Sequence, residues 1–254
     1  ISGLSSLEKL NITGTGITQS DLTTIGALPM LKELTLSDCG ITSIAPLSDA
    51  TGITKLDLSN NTIRNIDAVR QMSGLTELNL DHNVVTDLSA IADLKALTKL
   101  SVSYNTLTTL EAVTGNTALT WLSAGHNSIE TLGQLQKLTG LNHLDLSYNA
   151  LQDIAPVAAC SSINELDISN NALTDISSLS ALTKLSYLNF SHNEVAQLPQ
   201  WSADCALVSI NGSNNQITSI EPLVGLKKLN NVFMDYNDAL TSIGALVDCP
   251  MLIQ

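Results

Sequence analysis

The sequence predicts an α/β repeat solenoid: a right-handed coil in which every turn lays one short strand into a concave parallel β-sheet and returns over a convex side of 3₁₀ and irregular segments. Three observations predict it. The stretch Ile53 to Gly74, ITKLDLSNNTIRNIDAVRQMSG, recurs on both sides of itself, so that units open at Leu7, Leu31, Ile53, Leu75, Leu97, Leu119, Leu141, Ile163, Leu185, Leu207 and Leu229. With the opening residue as place one, apolar side chains fall at places one, four, six, eleven, fourteen, seventeen and twenty, as Ile53, Leu56, Leu58, Ile63, Ile66, Val69 and Met72 do. Place nine is Thr15, then Cys39, then asparagine in all nine later units, from Asn61 to Asn237. Self-similarity at a fixed period of this length marks a stacked array in which one repeat cannot close its own core.

Within each unit, places three to seven alternate around the apolar pair at four and six, the period-two pattern of a strand with one buried face. Successive strands run the same way, so the remainder of the unit must cross back over the core. Its apolar residues at eleven, fourteen and seventeen are spaced by three, which suits extended turns and 3₁₀ pieces better than α-helix. The step is 22 residues except in the first unit, two longer, and the last, one longer; Leu4 and Leu252 read as fragments of further units. The ladder at place four runs from Leu10 to Val232 without a polar interruption, and each member, fully buried, contributes roughly 1.5 to 3 kcal/mol. At place six Gly212 leaves a hole beside Phe190 of the preceding unit, and the ring is expected to fill it, since protein interiors hold a constant density. The chain must turn sharply after the strand, and a buried asparagine at place nine carries the donors and the acceptor that satisfy the backbone groups stranded there.

A continuous repeat without a change of composition leaves no place for a boundary, so residues 1–254 are expected to form a single domain. Hydrophobic residues make up 44% of the chain but aromatics only 3%, so its core is a set of aliphatic ladders. No apolar run approaches the ~18 residues of a membrane helix, and the opening ISGLSSLEKL resembles no leader, so direct membrane insertion is not expected. A net charge of −13, with its few basic residues dispersed, argues against nucleic acid. Cys39, Cys160, Cys205 and Cys249 never fall in adjacent units; strands ~4.8 Å apart put even the nearest pairs beyond the ~7 Å reach of a disulfide. Four free, mostly buried thiols are expected.

The motifs ITKLDLSNN, the pair Ile63 and Ile66, and Ile44-Ala45-Pro46-Leu47 resemble the leucine-rich repeat family, and within it the bacterial internalin-like subclass with 22-residue repeats. The likeness covers nearly the whole chain. It implies a leucine-rich repeat horseshoe, a surface or secreted bacterial protein, and a protein ligand on the concave sheet. The helical cap, immunoglobulin-like region and wall anchor of that subclass are not visible in the sequence. Eukaryotic phosphatase regulators use a similar repeat, which keeps an intracellular scaffold as an alternative.

Places three, five and seven, with place eight at the strand exit, are expected to form the exposed sheet face. Six of the eight aromatic residues fall there, and Tyr104, Trp121, His126, His143, Tyr148 and Tyr187 cluster in repeats five to nine. Exposed rings have no core role and are enriched in binding hot spots; the structural alternative is that neighbouring rings only stack on one another. Place three of the first five units alternates Lys9, Glu33, Lys55, Glu77, Lys99, a charge ladder expected to pair across strands. Beyond it Asp145, Asp167 and Glu165 sit together without a cation. They favour a lysine or arginine of a partner over a metal, because an open sheet lacks the enclosing loop of a calcium site. No metal-ligand, nucleotide-binding or nucleophile motif occurs, so neither cofactor nor catalytic residue is expected. The expected function is therefore a non-catalytic, monomeric, extracellular or cell-surface module that binds a protein or peptide. A glycan receptor using Trp121, Tyr148, Asp145 and His143, and a structural spacer, are the other readings.

Overall fold

The computed structural model describes residues 3–252 and comprises two compact units, Ile1–Asn127 and Ser128–Gln254. In the first, six strands pair in parallel in chain order: β1 (Lys9–Thr13), β2 (Glu33–Ser37), β3 (Lys55–Asp57), β4 (Glu77–Asn79), β5 (Lys99–Ser101) and β6 (Trp121–Ser123). In the second, β7 (His143–Asp145), β8 (Glu165–Asp167), β9 (Tyr187–Asn189), β10 (Ser209–Asn211) and β11 (Asn231–Phe233) do the same. Equivalent places face one another in register, as Leu56 faces Leu78 and Leu166 faces Leu188. The place-four ladder is buried throughout except at its ends, where Leu10 and Val232 are half-buried.

The strands are shorter than the alternation suggests. From β3 onward they span only places three to five, and in every such unit the chain then turns through a left-handed residue at place eight. Among the described residues Asp38, Asn60, His82, Tyr104, His126, Tyr148, Asn170, His192, Asn214 and Tyr236 all have φ between 52° and 56°. That turn tucks place seven in as well. Ser59, Ser103, Ser147, Ser169, Ser191 and Ser213 are buried, which corrects the expectation that place seven belongs to the open face.

The place-nine asparagines do the work foreseen for them. Asn61 donates from Nδ2 to the carbonyls of Leu36 and Leu58 at 2.8 and 2.9 Å, and its Oδ1 accepts from the Cys39 and Ile41 N–H groups at 3.1 and 2.9 Å. Asn105, Asn193 and Asn215 repeat the scheme. Each amide thus ties two neighbouring repeats together where the backbone has no ladder partner.

The return segments are 3₁₀ turns such as Ala45–Leu47, Asp67–Gln71 and Ser177–Ala181. The first repeat differs: its two extra residues admit an α-helix, α1 (Gln19–Gly26), opened by a capping box in which Thr18 and Asp21 satisfy each other's backbone N–H. All four cysteines are free and buried. The Phe190 ring is fully buried against Gly212, where an added Cβ would lie 2.5 Å from Cζ, so the ring does occupy the missing volume.

Candidate binding surface

On the sheet face of the first unit, place three forms a rim. Lys9 pairs with Glu33 and Lys55 with Glu77, both at 2.7 Å; the Lys9 hydrogen bond holds the Glu33 carboxyl below its ordinary range, and Glu77 raises the Lys55 ammonium. The charge ladder therefore resolves into two closed pairs. Lys99 departs from it, with Nζ 5.0 Å from the centroid of the Trp121 ring and, among the described residues, no carboxylate within salt-bridge reach. Below the rim, Thr35, Asp57, Asn79, Ser101 and Ser123 follow one another at place five, and Asp81 joins them from the exit of β4. Together these residues line a cavity of about 410 Å³. Asp81 is part-buried; desolvation raises its pKa, partly countered by hydrogen bonds from Ser101 Oγ and the Ser103 N–H.

At place eight of the same unit, Tyr104 lies between His82 and His126, with ring centroids 4.0 Å apart on each side and planes within 13°. Ring stacking of this kind was the structural alternative for the aromatic residues, and for Tyr104 and His126 it is realised. His82 completes the stack from the other side. The signal was the run His82, Tyr104, His126 at one place of consecutive repeats. The tyrosines there still require explanation: asparagine adopts the left-handed turn readily, as Asn60 and Asn170 do, whereas a bulky residue at positive φ is strained by about 1 to 3 kcal/mol. Tyr104, Tyr148 and Tyr236 are exposed, so burial does not repay that strain.

In the second unit, His143 Nδ1 lies 2.9 Å from Glu165 Oε2. Asp145 and Asp167 are not simply repelling carboxylates, as the sequence suggested. Each accepts the backbone N–H two residues on, from Ser147 and Ser169, at 2.9 Å, closing the turn that leads to place nine. Asp167 also accepts from Ser169 Oγ and Asn189 Nδ2. With Tyr187 these side chains frame a small basin of about 160 Å³. The Tyr187 hydroxyl has its pKa raised by burial and by the Asp167 and Glu165 charges. Tyr148 stands exposed on the turn after β7. Among the described residues no group of three or more His, Cys, Asp or Glu side chains is placed to hold a metal ion. None of their helices is long and apolar enough to cross a membrane.

Profiles of the leucine rich repeat match residues 29–85, and profiles of paired leucine rich repeats match 117–159 and 161–203. An internalin C2 from Listeria monocytogenes is 30% identical, with a TM-score of 0.68 over 72% of this chain and 80% of that one. The chain belongs to the leucine-rich repeat family, internalin-like subclass. A second Listeria monocytogenes internalin, inlF, shares 25% identity and a TM-score of 0.69 over 98% of this chain and 86% of its own. The functional domain of InlJ from the same organism superposes with a TM-score of 0.77 at 24% identity, covering 98% of this chain and 58% of that one. No curated protein sequence matches. In a leucine-rich repeat the family-defining residues are the core ladders and the place-nine asparagine. At places three, five and eight, by contrast, the residue changes from unit to unit. Leucine-rich repeat proteins are generally non-catalytic binding modules.

Proposed function

We propose that this leucine-rich repeat domain is a non-catalytic module of a bacterial cell-surface or secreted protein. In this reading it binds a protein or peptide partner through its sheet face, using Tyr104, Trp121, His126, His143, Asp145, Tyr148, Glu165, Asp167 and Tyr187. The observation that carries the reading is the set of exposed rings Trp121, Tyr148 and Tyr187, with Tyr148 held at positive φ, where an asparagine would serve the fold at lower cost. Rings of this kind bury large area with little loss of side-chain entropy. In the second unit Glu165, Asp145 and Asp167 beside Tyr187 suit the ammonium or guanidinium of a partner's lysine or arginine, which a carboxylate and an aromatic face both attract.

The test is a selection from a random peptide display library against the wild-type domain, with counter-selection against Trp121→Ala/Tyr148→Ala. Peptides enriched on the wild type should carry Lys or Arg and bind the double variant at least about 30-fold more weakly, the effect of losing about 2 kcal/mol at one hot spot. Peptides that bind both proteins equally would leave the rings without a role and favour a spacer. A full-length gene product with neither secretion leader nor surface anchor would remove the proposed location.

A further inference from the structure

We propose that the cavity on the sheet face of the first unit is a separate site for an oligosaccharide bearing a carboxylate. The proposal is independent of the protein-partner reading and shares only Trp121 with it. Its volume, about 410 Å³, lies within the ~300–1,000 Å³ of small-molecule sites, but its lining is unlike the usual apolar pocket. Trp121 is the one aromatic residue of a lining otherwise rich in hydroxyl, amide, carboxylate and ammonium groups. Such a lining fits a ligand with one apolar face and many hydroxyls.

The floor also carries hydrogen-bonding capacity that the fold leaves unused. Asp57 Oδ1 accepts from the N–H and Oγ of Ser59, whereas Oδ2 accepts nothing from the described residues. Asn79 Oδ1 accepts from the Asp81 N–H, and its Nδ2 donates to no protein group. The Thr35 hydroxyl has no partner among the described residues, and in the register Thr35, Asp57 and Asn79 stand side by side on β2, β3 and β4. A donor, an acceptor and a hydroxyl in a row match the alternating donor and acceptor demands of sugar hydroxyls. At the far end Lys99 is the one rim lysine, among the described residues, without a carboxylate, and its ammonium lies over the indole ring, 5.0 Å from the centroid. A sugar ring set against the indole next to that ammonium would bring an attached carboxylate to Nζ, closing the third pair of the rim from outside.

The probes are 3′-sialyllactose and trigalacturonic acid, with lactose and maltotriose as neutral counterparts, followed by amide NMR on the whole chain. The acidic sugars should shift Ser101, Ser123 and the Trp121 indole N–H, and should bind about tenfold more tightly than the neutral ones, the worth of one charge-assisted hydrogen bond. Lys99→Met should abolish that difference while leaving neutral binding in place. Asp57→Asn, which keeps the Oδ1 acceptor of the turn and replaces only the unused oxygen, should weaken both classes. Neither substitution should alter the affinity of peptides selected on the aromatic surface. No shift at millimolar sugar, equal binding of neutral and acidic probes, or shifts confined to residues 143–189 would overturn the proposal. So would a loss of selected-peptide binding in Lys99→Met, which would assign the cavity to the protein interface.

Discussion

Gly212 offers a stringent test of how closely the repeats fit. In the native structure its missing side chain is replaced by the Phe190 ring, and a Cβ placed there would stand 2.5 Å from Phe190 Cζ and 3.0 Å from both Ile217 Cδ1 and Met234 Sδ. Phe190 and Ile217 are fully buried, so the clash cannot be relieved into solvent. Gly212→Ala should therefore destabilise the chain by ~1 to 3 kcal/mol, the usual cost of overfilling a core. Phe190→Leu alone should also destabilise, by the cavity it leaves. Together the two changes should cost at least about 1 kcal/mol less than their sum, because each fills or empties what the other disturbs. Urea denaturation followed by circular dichroism, with both midpoint and slope compared, measures all three variants. Gly212→Ala as stable as the parent, or strict additivity, would refute the volume argument.

Other consequences follow from the same contacts. Asn105→Ala strands the Val85 N–H and the Leu80 and Val102 carbonyls and should lower stability by about 2 to 5 kcal/mol; a loss under 0.5 kcal/mol in the same urea assay would contradict the role given to place nine. Asp81 has a pKa raised by burial. Over the window between its unfolded and folded values the folded chain holds the extra proton, so stability falls as pH rises through that window. Asp81→Asn, which can still accept from Ser103, should flatten this limb of the urea-midpoint curve, and parallel curves for the two proteins would contradict it. The native protein should react slowly with a thiol reagent, since the cysteines are buried and the Cys160 thiol is pushed up to about 11. Denatured, unreduced protein should yield all four thiols, and a yield of zero would contradict the free state.

Much of the fold was legible because the repeat turns sequence spacing into spatial adjacency. Once the 22-residue step is fixed, Phe190 must neighbour Gly212, and every asparagine from Asn61 to Asn237 must face the same stranded backbone. The place-seven serines were misread because alternation does not report where a strand stops. Here it stops at place five, and the Asp or Asn there caps the turn, as Asp57 does for Ser59. Helix α1 was missed because the apolar spacing of the first repeat resembles the others, while the two added residues and the Thr18–Asp21 box carry the difference. Of the candidate surface, the exposure of Trp121 and Tyr187 was legible from strand parity and that of Tyr148 from its place at the strand exit. The choice of partners was not. That Glu33 closes on Lys9 and Glu77 on Lys55, leaving Lys99 to the indole, depends on side-chain rotamers within a uniformly spaced row. The charge ladder pairs across strands as expected, whereas the cavity beneath it was not visible in the spacing.

The most direct test of the binding reading is hydrogen–deuterium exchange on the whole chain, with and without a saturating peptide from the selection. Added protection should appear at residues 99–104, 121–126, 143–148 and 165–170, which carry the strands and place-eight turns, and be absent from the 3₁₀ segments. Protection confined instead to Glu111–Gly115 and Ala155–Ala159 would place the ligand on the return side and contradict a sheet-face module.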